Sequence, residues 1–174
     1  MSTLLSSRMN PRILTSLIIG VALLTLSCDG NGLIRQTRCS TAIATATQTW
    51  EVEYYISKTS GGLNTQRIQS FQSNTLTNLN GEKPENAVSS DDRGVWWAAL
   101  PPRPTADEVD QHRDVQEHND PPVLQRSVDY HLRCENKTLQ TDALTYREAS
   151  RAIRVGQAVQ VSYLGNQALK IEPR

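Results

Sequence analysis

Phenylalanine occurs once in the 174 residues, and Phe, Trp and Tyr together make up only 5% of the chain. Large aromatics dominate core burial, so their scarcity predicts a thin core that leans on a staple or a partner. Neither sign of charge is in excess. Eighteen Lys and Arg face 18 Asp and Glu, and beyond residue 27, once Arg8 and Arg12 are set aside, 16 basic side chains face 18 acidic ones. A nucleic-acid partner is not expected, because a phosphate backbone is held by a concentrated excess of Lys and Arg.

The chain contains no H-E-x-x-H, C-x-x-C, G-x-S-x-G, S-x-x-K or P-loop pattern. Each of those spacings assembles a nucleophile, a metal or a phosphate cradle, so no catalytic residue and no cofactor is assigned. Histidine is scarce as well. On a helix, Glu108 with His112 and Asp114 with His118 are i,i+4 pairs, but six residues between the pairs turn them about 120° apart. Zinc needs three or four converging ligands, so no metal site is expected there. His131 falls on the polar side of its segment and is expected to be exposed. A glycosidase-type carboxylate pair drawn from distant strands is invisible to sequence.

Long hydrophobic runs are absent but for one. Residues 13–26, ILTSLIIGVALLTL, follow Arg8 and Arg12 and carry no charge, which is the layout of a secretory signal, read from Met1 or from Met9. As a helix, 14 residues rise about 21 Å against a hydrocarbon core of about 30 Å, too short for a permanent span.

The run ends in Leu24-Thr25-Leu26-Ser27-Cys28, which resembles the lipobox of bacterial lipoproteins. The resemblance is confined to the signal and this cysteine, and Thr25 departs from the leucine commonest at its position. It implies that a diacylglycerol joins the Cys28 sulfur and that the chain is cut so that Cys28 becomes the N-terminus. Fatty acyl chains such as palmitate then hold the protein at the membrane, each buried methylene contributing about 0.8 kcal/mol. In families that sort lipoproteins to an outer membrane, an aspartate after the cysteine resembles a retention signal, so Asp29 favours the inner membrane. The alternatives are cleavage at small-x-small sites, Ala42-Ile43-Ala44 or Ala44-Thr45-Ala46, far from the run, and an uncleaved anchor.

With Cys28 acylated, the odd count of three cysteines leaves Cys39 and Cys134 as a pair in an oxidising compartment. A bridge would be worth up to about 4–5 kcal/mol on the chain-entropy model. Spacing alone leaves the bridge and two free thiols equally open.

Three parts are expected: a signal over 1–27, a tether over 28–40 and one mainly β domain over 41–174. The even positions Ala42, Ala44, Ala46, Trp50, Val52, Tyr54 and Ile56 are apolar, with Thr, Glu and Ser at most odd ones, a strand pattern, and SGGL at 60–63 turns it into a weaker strand over 64–72. Residues 73–94 read as a polar insertion, and 95–124 as a Pro-rich and helical segment. In that segment Thr105 and Glu108 form a capping box opening a surface helix over 106–118. SVDYHLRC and LQTDALTY read as strands, REASRAIRVG as one or two helical turns, and 159–171 as a hairpin turning at Gly165-Asn166. The expected fold is a small antiparallel barrel or curled sheet of the OB-like or SH3-like kind with one surface helix.

Adjacent tryptophans on an extended segment point to opposite sides, so Trp96 and Trp97 are the candidate ligand contacts: one buries and the other offers a stacking face. PPRP at 101–104 is read as a stiff connector. The function expected is a non-catalytic binding or assembly module, tethered by lipid on the outer face of the membrane, meeting a protein or envelope component. A periplasmic hydrolase of envelope polymers, using carboxylates from separate strands, is the alternative. A third reading is a sensor whose concave site lies beside Trp96 or Trp97.

Overall fold

The computed structural model describes residues 33–56 and 65–172. The chain divides into a unit of residues 1–30 and a unit from Asn31 onward. The signal run, Cys28, Asp29 and the glycine turn at 60–63 lie outside the described residues. In chain order the second unit comprises β1 (Arg35–Ile56), β2 (Thr65–Leu79), β3 (Ser89–Ser90), β4 (Trp96–Trp97), α1 (Ala106–Gln111), β5 (His118–Asn119), β6 (Val123–Cys134), β7 (Thr138–Thr141), α2 (Ala143–Arg154), β8 (Val159–Leu164) and β9 (Gln167–Ile171).

β1 organises everything else. Its even residues Ala42, Ala44, Ala46, Val52 and Tyr54 are buried, as a period of two requires of a strand with one face inward. A register shift against β6 between Cys39 and Thr41 brings odd-numbered Cys39 to the buried side as well, since one extra residue reverses the alternation. One edge of β1 pairs with β6. The other pairs first with β8, over Arg35–Cys39, and then with β2, over Ile43–Ile56.

The ladder continues from β6 to β7, crosses to β9 by a parallel step at Gln140 and Gln167, and passes to β8. Because β8 returns to β1, five strands close a ring. Its order, β1-β6-β7-β9-β8 with α2 between the third and fourth strands in sequence, is that of an OB-like barrel. The chain is therefore mainly β, a closed curled sheet with few helices, and closure leaves those strands little free edge. Inside the ring Leu132, Leu139, Val159, Val161 and Ala168 pack against Tyr146 and Ala149 of α2.

Beyond the ring, β2, the second half of β1 and the first half of β6 form an arm. Its inner face is covered by residues from 95 to 111: Val95 and Trp97 pack on Ala46, and Val109 packs on Val52 and Tyr54. Apolar side chains are too few to hold this cover alone, and buried amides assist. Asn78 donates to the Trp96 carbonyl and accepts from its N–H, and Gln48 donates to the Ala98 carbonyl. A buried amide costs stability unless its groups are bonded, and these are.

Several sequence expectations change. β2 runs unbroken to Leu79, so the polar insertion loses residues 73–79 to a strand. Its asparagines signalled a loop, but Asn74 donates to Ala99, Asn78 bridges to β4, and Asn80 accepts from the Ala42 amide. β1 begins at Arg35 and takes in residues 35–40 of the expected tether. The helix expected over 106–118 is only Ala106–Gln111, while the helical turns expected from 147 do form, as part of α2, which starts earlier at Ala143 and replaces the end of the expected returning strand. Asp142 sets that boundary by accepting from the Thr145 amide, an N-cap. α2 is not a surface decoration, because Tyr146 and Ala149 lie in the core.

The Thr105–Glu108 capping box is formed as the spacing requires. Thr105→Ala should cost about 1 kcal/mol, the usual value of a lost cap, read as a small fall in the thermal midpoint. An unchanged midpoint would show that Val109, not the cap, fixes α1. The 159–171 hairpin also forms, turning at Gly165 with φ 58°, a left-handed conformation that glycine adopts freely.

Candidate functional site

Trp96 and Trp97 part as adjacent strand residues must. Trp97 is only 5% exposed and belongs to the core, with the Arg126 guanidinium 5.2 Å from its ring centre. Its ring therefore offers no open stacking face. Trp96 is half-buried, and Lys83 Nζ stands 5.5 Å from its ring centre. The proline connector meets a different tryptophan: Trp50 Nε1 donates to the Pro101 carbonyl, and Arg103 lies over its ring.

The histidines are spread out. His112 contacts Phe71 edge-on and His118 tilts against Tyr55. His131 is half-buried rather than exposed. Among the described residues no three His, Cys, Asp or Glu side chains gather as a metal site requires. A shallow pocket of ≈ 100 Å³ is walled in part by Glu51, Glu53 and Asp120.

A larger pocket, ≈ 240 Å³, lies between α2, the turn at Gly81 and the loop 91–94. Arg147, Arg151 and Arg154 stand at i, i+4 and i+7 of α2, one stripe of the helix, and Arg93 faces them from the loop. None of the four is ion-paired among the described residues. Arg154 donates to the Gly81 and Asn80 carbonyls. Gly81, at φ +67°, makes that approach possible: a Cβ there would stand 2.5 Å from the guanidinium. The loop is built on Asp91, whose carboxylate accepts from the Arg93 and Val95 amides and from Trp97 Nε1. Tyr146 also lines the pocket, and its buried hydroxyl has no hydrogen-bond partner of normal geometry. Burial raises its pKa, opposed in smaller measure by Ser150, the Gly81 backbone and Arg154.

Elsewhere electrostatics serve the fold. Glu117, 7% exposed, is gripped by Arg67 through both carboxylate oxygens, at 2.8 and 2.7 Å, and accepts from the Asp114 amide. The Arg67 guanidinium and then that amide hold its carboxyl below the ordinary range. Glu172, bonded by Ser162 and then Lys170, and Glu108, bonded by the Thr105 amide and hydroxyl, are lowered likewise. A carboxyl lowered in the folded state stabilises it above the unfolded pKa, and this is lost as pH falls through the folded value, below about pH 4. Glu117→Gln should therefore lower the thermal midpoint at pH 7 and flatten its fall between pH 5 and pH 3. Parallel wild-type and variant profiles would remove Glu117 from the account of acid sensitivity.

Fold and site thus define an OB-like barrel with an arginine-walled pocket beside its helix. No protein-family model matches the chain, and no curated protein or solved structure matches it either. Among the described residues no helix is long and apolar enough to cross a membrane.

Proposed function

We propose that this chain is a lipid-anchored binding module, acylated at Cys28 and displayed on the outer face of the membrane, with Asp29 favouring the inner one. One observation carries the reading. Cys39 is joined to Cys134, so Cys28, two residues past the end of the only long apolar run in the sequence, is the cysteine left over. The competing cleavage sites also fare badly, because Ala42, Ala44 and Ala46 are buried in the middle of β1. A cut there would remove the stretch of β1 that pairs with β8, and Cys39 with it. Cys28 instead lies seven residues before β1, where cleavage spares every strand among the described residues.

Binding without chemistry is the role assigned to the domain, its partner a protein or an envelope component. The test is recovery from solubilised membranes under crosslinking: a partner captured by the wild type and lost with the pocket arginines replaced supports it. The hydrolase alternative retains one observation, the Glu51, Glu53 and Asp120 pocket. It predicts that Glu51→Gln abolishes turnover of an envelope polymer by the purified protein, and absence of any turnover rejects it.

A further inference from the structure

We propose that the pocket between α2 and the 91–94 loop binds a phosphate monoester, held by Arg147 and Arg151 on one wall and Arg93 on the other. The inference supplies a ligand class for the binding-module reading and rests on that reading for its biological role.

Three arginines on one stripe of a helix repel one another, since residues three and four apart are neighbours. Such a stripe is ordinarily relieved by interleaved carboxylates, yet here none lies within ion-pairing distance among the described residues. Arg147 is half-buried without a hydrogen-bond or ion-pair partner, so its charge is partly desolvated and unanswered. Of the two carboxylates that line the pocket, Asp91 is committed to the Arg93 and Val95 amides and the Trp97 indole, and Asp92 is exposed.

Four guanidinium groups against two carboxylates leave the pocket a formal charge of +2, which matches the dianion of a monoester near neutral pH. Geometry points the same way. Donors on opposite walls suit a tetrahedral group whose oxygens point in several directions, whereas a planar carboxylate is served by one fork. Tyr146 lines the wall between them with its hydroxyl buried. At ≈ 240 Å³ the space is below the roughly 300–1,000 Å³ of sites that enclose a drug-sized molecule. It takes a phosphoryl group with a small attached portion, and a larger remainder projects outward.

Arg154 has a different task. It clamps the Asn80–Gly81 turn through backbone carbonyls and so fixes the third side of the pocket. It is a positioning residue and is left untouched in the test.

Full-length protein purified in detergent is titrated calorimetrically with sn-glycerol 3-phosphate, inorganic phosphate, acetate and dihexanoyl phosphatidic acid at one ionic strength. Saturable binding of the phosphates but not of acetate is expected. Arg147→Gln/Arg151→Gln should weaken it by at least about tenfold, as loss of charged hydrogen bonds implies, with the ligand-free thermal midpoint not lowered. Tighter binding of the phosphatidic acid than of glycerol phosphate would make the source a lipid headgroup, and the reverse order a soluble ester. Equal response to acetate, no saturable heat, or wild-type affinity in the double variant would overturn the proposal. Intact mass on the same preparation reads the Cys28 anchor separately: a lipidated protein that ignores phosphate sinks this inference alone, and an unlipidated one that binds phosphate sinks only the anchor.

Discussion

Replacing Cys28 by Ala should remove the protein from the membrane as a processed species. Either an uncut precursor accumulates, or the chain is released to the soluble fraction. The effect is expected to be nearly complete, because acyl chains contribute about 0.8 kcal/mol per buried methylene and the described residues contain no helix able to replace them. The 14-residue run is too short to anchor stably by itself. The fold adds a constraint on where cleavage is tolerable: β1 begins at Arg35 and its buried alanines occupy the competing sites. Unchanged mass and unchanged fractionation of Cys28→Ala would sink the lipid-anchor reading.

Loss of the Cys39–Cys134 bridge should be the most damaging change to stability. The bridge closes a loop of 95 residues, worth about 4–5 kcal/mol on the chain-entropy model. Domains of this size are stable by roughly 5–15 kcal/mol in total, so about a quarter of the margin or more is at stake. It ties β1 to β6 at paired positions within the ring, where both sulfurs are buried. Reduction, or the Cys39→Ala/Cys134→Ala variant, should lower the thermal midpoint by roughly 10–20 °C, at a few degrees per kcal/mol. The far-UV dichroism of the remaining fold should be retained, since β1 and β6 stay paired from Ala42 and Leu132 onward. A midpoint within three degrees of the oxidised protein would mean that the unbridged chain is already constrained.

The parts of this architecture readable in the sequence are those in which one strand face is apolar. β1 announces itself through Ala42 to Ile56, and the β8–β9 hairpin through Val159, Val161 and Gly165. The second half of β2 is hidden because its inward-facing Asn78 is polar and is satisfied only by β4, a partner that sequence does not place. α2 is legible over residues 147–154 as helical turns, but its first turn is obscured, because Thr145 and Tyr146 of its buried face read equally well as the end of a strand. The bridge was one of two open outcomes until the register set Cys39 opposite Cys134.

The pocket is a mixed case. The spacing of Arg147, Arg151 and Arg154 stands in plain view, and a helix over those residues places them on one side. Arg93 lies more than fifty residues away in a polar stretch, and only the tertiary fold brings it across from them. Trp96 and Trp97 show the opposite balance: strand alternation foretold that one buries and one does not, while the structure alone shows that Trp97 is the buried one.

The central claim is that Cys28 is the acylated first residue of the mature chain. Intact-mass measurement of the protein extracted from membranes tests it most directly. The expected mass is that of Cys28 to Arg174 plus a diacylglyceryl group and any amide-linked acyl chain. A mass corresponding to a chain that retains residues 9–27, or to one that begins beyond Ala44 or Ala46, would contradict it.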